Sequence, residues 1–136
     1  MNNDTMKSTG LLILRLVFGF VMIMHGIQKA FEWTPAGTVA SFEQMGIPMA
    51  AAAAYFAMAT ELLGGTMVIL GAGTRIAAAA SVVSMSGALL FVHLAAGFSS
   101  AKGGYEYVLT LAAIAAAFFF TGAGKFSIDA LFARRK

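Results

Sequence analysis

Four long apolar runs, each interrupted by only a few ionisable residues, decide what this sequence can fold into. They cover residues 10–31, 48–71, 74–97 and 105–124, approximately. At about 1.5 Å per helical residue, a run of about 20 residues crosses a hydrocarbon core of about 30 Å. Lipid offers the backbone no hydrogen-bond partner, so helix is required, and no two-residue alternation suggests a barrel. Charged residues make up only 11% of the chain, too few to coat a water-facing domain, which carries about 25%. The expectation is a single all-α domain over residues 1–136, a four-helix transmembrane bundle. The chain has no cysteine, which excludes disulfides and thiol redox chemistry of its own. The net charge of +3 does not imply a nucleic-acid partner, because Lys and Arg sit at the ends of the runs.

Turn residues support these limits. The connector Glu32–Ile47 contains Trp33, Pro35, Gly37 and Gly46 and has room for a short surface helix around Val39–Met45. Pro48 suits the first turn of the second helix. Gly71-Ala72-Gly73 and Gly103-Gly104 mark tight turns. Four crossings place both termini on one side, where Lys7, Arg75, Lys125, Arg134, Arg135 and Lys136 outweigh Lys29 and Lys102 opposite. The positive-inside rule makes that side the cytoplasm. The N-terminal run imitates a signal peptide, but Arg15 and the lack of a small-residue cleavage pattern predict that it is retained. The tail Ser127–Lys136 reads as a short amphipathic helix capped by Ser127, with its basic end near lipid headgroups.

Ionisable groups at membrane depth are costly unless paired, so they are functional candidates. Arg15 and Glu61, on antiparallel helices, are expected to form an intramembrane ion pair. The helix face around Glu61 is small, with Ala54, Ala57, Gly64 and Gly65 allowing close approach. A second group gathers toward the outer end. His25 and Lys29 are one helical turn apart, His93 lies near the end of the third run, and Glu106 opens the fourth between Tyr105 and Tyr107. At similar depth, His25, Lys29, His93 and Glu106 would share a ligand pocket open to the outer leaflet. Two imidazoles and a carboxylate can hold a metal or haem, or take part in quinone proton transfer. No spacing here matches a dedicated metal motif. A histidine that bonds only a carbonyl, and an aromatic belt of Trp33, Tyr105 and Tyr107, are the plain structural alternatives.

These residues fall in recognisable strings: Arg15-x-x-x-Gly19 leading to His25-Gly26-x-x-Lys29; Gly46-Ile47-Pro48; Glu61-x-x-Gly64-Gly65; Leu70-Gly71 with Thr74-Arg75; His93; Gly104-Tyr105-Glu106-Tyr107; and Gly122-x-Gly124-Lys125-Phe126-Ser127-Ile128-Asp129. In their order and spacing, from Leu11 to Asp129, the chain resembles the DoxX family of small bacterial membrane proteins. The resemblance implies a four-helix unit in a bacterial plasma (inner) membrane, connected with quinone-linked thiosulfate oxidation or with oxidative stress and thiol balance. It implies a membrane subunit of an oxidoreductase system, with quinone as the expected ligand. Quinone reductases that work through a Cys-x-x-Cys pair are excluded. Two other readings remain: a scaffold that recruits soluble redox enzymes or forms a homo-oligomer, and a small-solute transporter.

Overall fold

The computed structural model describes residues 2–133. Among them every regular element is helical. Helix α1 (Asn3–Ile27) continues through a π-helical turn at Gln28–Glu32, and α2 (Pro35–Gln44) follows. Helix α3 (Ala50–Ala59), a π turn at Thr60–Gly64 and α4 (Gly65–Leu70) form one rod. Helix α5 (Thr74–Ala88) extends through a third π turn at Leu89–His93 and a 3-10 turn at Leu94–Ala96. Helices α6 (Glu106–Thr121) and α7 (Ile128–Ala133) complete the chain. Three continuous helices, Asn3–Glu32, Ala50–Leu70 and Thr74–Ala96, are long and apolar enough to cross a membrane; α6 is apolar but has 16 residues.

Helix boundaries differ from the hydropathy limits for local reasons. Helix α1 begins at Asn3, well before residue 10, because the Asn2 side chain accepts from the Thr5 N–H; hydropathy marks the buried stretch, not the helix. The surface helix starts at Pro35 rather than near Val39, since the Thr34 hydroxyl accepts from the Gly37 N–H and Pro35 suits the first turn. Pro48 stands before the second rod instead of opening it. Gly46 and Met49 both adopt left-handed backbone, and the helix starts at Ala50.

Apolar side chains face outward as well as inward. Leu16, Val17 and Phe20 on α1, Ile76 and Val83 on α5, and Leu109 and Phe120 on α6 are all exposed. Such a continuous apolar exterior belongs in acyl chains. Inside, Phe18, Met22, Val68, Met85, Leu111, Ala115 and Phe118 make the core, with Phe18 and Phe118 edge to face at 5.6 Å. Helix α1 meets the α3–α4 rod backbone to backbone. A Cβ on Gly19 would lie 2.6 Å from the Gly65 carbonyl oxygen, and one on Gly65 2.9 Å from that of Gly19. Lipid supplies no hydrophobic drive for association, so this close van der Waals contact between small residues does the joining.

That contact fixes the register and corrects the expected Arg15–Glu61 pair. With Gly19 against Gly65 on antiparallel rods, Arg15 lies opposite Ile69. Glu61 is eight residues back along the rod, roughly 12 Å of axis. Arg15 instead turns its guanidinium onto backbone carbonyls: Nε donates to Val68 at 2.8 Å, Nη2 to Ile69 at 2.7 Å, and Nη1 to Ala123 and Phe126 at 2.8 and 2.9 Å. It is 1% exposed. The acceptors are the terminal carbonyls of α4 and those of the segment after α6, where helix dipoles concentrate partial negative charge.

Asp129 completes this junction from the other side. Its carboxylate accepts from the N–H groups of Gly73 and Thr74 at 2.7 and 3.0 Å, capping α5, while its own N–H donates to the Gly71 carbonyl at 2.8 Å. Gly71 is required twice over: its φ is +66°, and a Cβ there would meet Arg15 Nη2 at 2.8 Å. Ser127 Oγ accepts from the Ala130 N–H and so caps α7, the amphipathic tail expected there. The basic residues Arg134, Arg135 and Lys136 lie outside the described residues.

The Asp129 junction predicts a pH dependence. Partial burial pushes its carboxyl up, but the hydrogen bonds from Thr74 and Gly73 and the charge of Arg15 outweigh this and hold it below the usual 3.8. A depressed carboxyl stabilises the fold above its unfolded value and loses that contribution as pH falls through the folded one. Thermal melts in detergent should therefore show stability falling below about pH 4. Asp129→Asn should melt lower at neutral pH and flatten that acid limb; an unchanged limb refutes the assignment.

Candidate functional site

The bundle opens at the end away from Arg15. A cavity of about 600 Å³ lies between Met22, His25 and Lys29 of the first rod, Ala53, Phe56, Ala57 and Glu61 of the second, and Val83 to Ala88 of α5. Val92 and His93, with Tyr107, Val108 and Leu111 of α6, close the remaining wall. Trp33, Phe42, Met45, Ile47 and Pro48, from α2 and its flanking connectors, roof it. Phe56, Val83 and Phe91 line the cavity and are also exposed, so it opens sideways between α3 and α5.

Three of its ionisable residues stand on π turns: Lys29 in Gln28–Glu32, Glu61 in Thr60–Gly64 and His93 in Leu89–His93. Single π turns occur often at functional sites, because the widened turn redirects side chains and frees a carbonyl. Here the Lys29 carbonyl accepts from Thr38 Oγ1 at 2.9 Å, and Thr38, fully buried, ties the roof helix α2 down.

Lys29 Nζ donates to Glu61 Oε1 at 2.9 Å, with the two side chains 15% and 4% exposed. Lys29, not Arg15, is thus the partner of Glu61. Lys29 Nζ also lies 5.9 Å from the centre of the Trp33 ring. The second carboxylate oxygen, Oε2, is buried and has no hydrogen-bond partner among the described residues. An unpaired buried acceptor carries a desolvation cost of about 1–3 kcal/mol, and native folds rarely leave one without a use.

His25 Nε2 lies 3.3 Å from the Tyr107 hydroxyl. His93 Nδ1 is 2.7 Å from the Gly103 carbonyl oxygen; a carbonyl only accepts, so Nδ1 carries a proton and donates it there. Of the four expected pocket residues, His25, Lys29 and His93 line one cavity. Glu106 does not. Its Oε1 accepts from the N–H and hydroxyl of Ser100, both at 2.7 Å, and clasps the loop before α6. Consecutive helical residues point about 100° apart, so only one of Glu106 and Tyr107 can face α1. Tyr107 does, and it stands in the pocket beside His25 where Glu106 was expected. Among the described residues no three His, Asp or Glu side chains converge as metal ligands.

Comparison with known proteins places this arrangement in context. A DoxX family model matches residues 10–94, the stretch that holds Arg15, Lys29, Glu61 and His93. "Putative oxidoreductase CatD" of Bacillus subtilis is 34% identical over 105 residues, 77% of this chain and 75% of that protein. An uncharacterized membrane protein of Mycobacterium tuberculosis is 36% identical over 94 residues, 66% of this chain and 57% of its own. An uncharacterized protein of Haemophilus influenzae is 32% identical over 140 residues, 99% of this chain and all of that one. No solved structure matches the chain. The family match, the apolar exterior and the long apolar helices agree: this is a membrane protein that belongs to the DoxX family.

Proposed function

We propose that the chain is the membrane-embedded component of a quinone-linked redox system. It would span a bacterial plasma membrane four times, α6 being the fourth crossing, with both termini in the cytoplasm. The observation that carries the reading is the Lys29–Glu61 pair buried at a largely apolar cavity with one carboxylate oxygen unpartnered among the described residues. An ion pair serving only to lock two helices would be expected to satisfy both oxygens. A cavity of about 600 Å³ falls within the range of small-molecule sites, and its sideways mouth suits a ligand dissolved in the bilayer. Lys29 would balance negative charge on a ring oxygen. The hydrogen-bonded His25–Tyr107 pair and the His93 ring would accept or pass protons at the outer rim. The name of the Bacillus relative supports an oxidoreductase connection.

Gly87 provides the test. It lines the cavity, and a Cβ there meets nothing within 4 Å. Gly87→Leu should leave the fold intact, since leucine has the higher helix propensity by somewhat under 1 kcal/mol. It should also fill the mouth, cutting affinity for a short-chain quinone at least tenfold in detergent-purified protein. Undiminished binding would sink the site.

A scaffold reading keeps one observation of its own: Leu131 and Phe132 on α7 are exposed at the chain's end. If soluble redox partners copurify with the full chain but not after removal of the tail, recruitment rather than the cavity is the main activity.

A further inference from the structure

We propose that residues 34–49 are a hinged lid that parts the cavity from the water beyond this end of the bundle, with the Thr38 hydroxyl as its latch. The segment covers the cavity with Phe42, Met45, Ile47 and Pro48, while Glu43 and Gln44 are exposed on α2. A short helix of that kind belongs at a membrane surface, with water above it and the apolar cavity beneath. Two non-glycine residues with positive φ occur among the described residues, and they bracket this segment: Thr34 at +64° and Met49 at +51°. A β-branched residue rarely takes such backbone, and Thr34, with ψ at 157°, is in a region kept almost wholly for glycine. Strain of this kind persists only where the surroundings hold it, and it is released when the segment swings away. The hold is slight. Among the described residues one hydrogen bond ties residues 34–48 to the rest of the chain, from Thr38 Oγ1 to the Lys29 carbonyl at 2.9 Å. Thr38 is also the one buried residue of α2. The Lys29 carbonyl belongs to the π turn that carries the Lys29 side chain, so latch and ion pair share one turn of backbone. The lateral mouth serves molecules dissolved in the acyl chains; the lid governs exchange with water. The lid rests on the reading of the cavity as a site, but not on which molecule fills it.

The chain has no cysteine, so one introduced thiol reports access. Ser84 lines the cavity, and Ser84→Cys exchanges a single heavy atom. The full chain in lipid nanodiscs is treated with a trimethylammonium methanethiosulfonate, whose fixed charge keeps it out of the acyl chains and so away from the lateral mouth. Labelling should be far slower than in the denatured chain. Adding Thr38→Val removes the latch and should raise the rate about fivefold. Thr38→Ser keeps the hydroxyl and should label at close to the Ser84→Cys rate. Adding Met49→Asn should lower the rate about threefold, because asparagine tolerates left-handed backbone and the shut lid then carries less strain. Ser81→Cys, on the same helix but fully buried outside the cavity, should stay unlabelled throughout. A rise there in step with position 84 means general loosening and overturns the lid. Equal rates with and without Thr38→Val, or a Ser84→Cys rate as fast as in denaturant, overturn it too. Should Thr38→Val fail to fold, Met49→Asn decides, and an unslowed rate refutes the hinge. No ligand enters the assay, so failure of the lid leaves the proposed function to stand or fall by Gly87→Leu.

Discussion

Arg15→Leu should destabilise the protein by about 3 kcal/mol or more, the largest effect expected of any single substitution outside the cavity. The guanidinium serves four carbonyls. Among the described residues only that of Val68 has another donor, the Gly71 N–H. Leucine would leave the carbonyls of Ile69, Ala123 and Phe126 without a donor, each costing about 1–3 kcal/mol. It would also remove the cation that faces the C-terminal dipole of α4. Arg15→Lys should recover only part of the loss, because one ammonium cannot span acceptors that a planar fork reaches in several directions. Melting of the detergent-purified chain, followed by size-exclusion recovery after heating, measures both. If Arg15→Leu melts with the wild type, the carbonyl cage is not what holds α1, α4 and the segment after α6 together.

The sequence makes the apolar rods legible and hides their pairing, for separable physical reasons. Hydropathy reports which residues lie in hydrocarbon, so the four runs were visible. It carries no information on how far one rod slides along another. The contact of Gly19 with Gly65 settles that, and it moves Arg15 away from Glu61. Lys29 was legible as a pocket residue, one turn from His25, but not as the partner of Glu61, which only the rod register shows. Composition does not mark the π turns: Gln28–Glu32 is built from ordinary helix formers, and Thr60–Gly64 departs from them only at Thr60 and Gly64. Placing His25, Lys29 and His93 at one depth came from counting residues along each run. Choosing Glu106 over Tyr107 required the rotation of α6 about its axis, which a mean hydropathy near saturation on every face cannot supply. The string from Gly122 to Asp129 holds Arg15 and caps α5, a role that its tail-helix pattern does not reveal.

Lys29→Met should destabilise by about 3–5 kcal/mol, because it strands the buried Glu61 carboxylate without its cation. Glu61→Leu should be costly for the mirror reason, although Lys29 is the more exposed partner and can relax toward water, which makes the loss smaller. Lys29→Met/Glu61→Leu removes both charges and replaces them with apolar groups of similar size. Its stability should return close to that of the wild type, so the two single losses will not add. Ligand binding should behave differently, falling in both single variants and staying low in the double one. This split between stability and recognition separates the two roles an ion pair in a membrane can have. A pair that only fixes helix register would leave binding untouched once the double variant refolds. A double variant as unstable as the sum of its parents would instead show no coupling between Lys29 and Glu61, and would refute the ion pair as the source of the single losses.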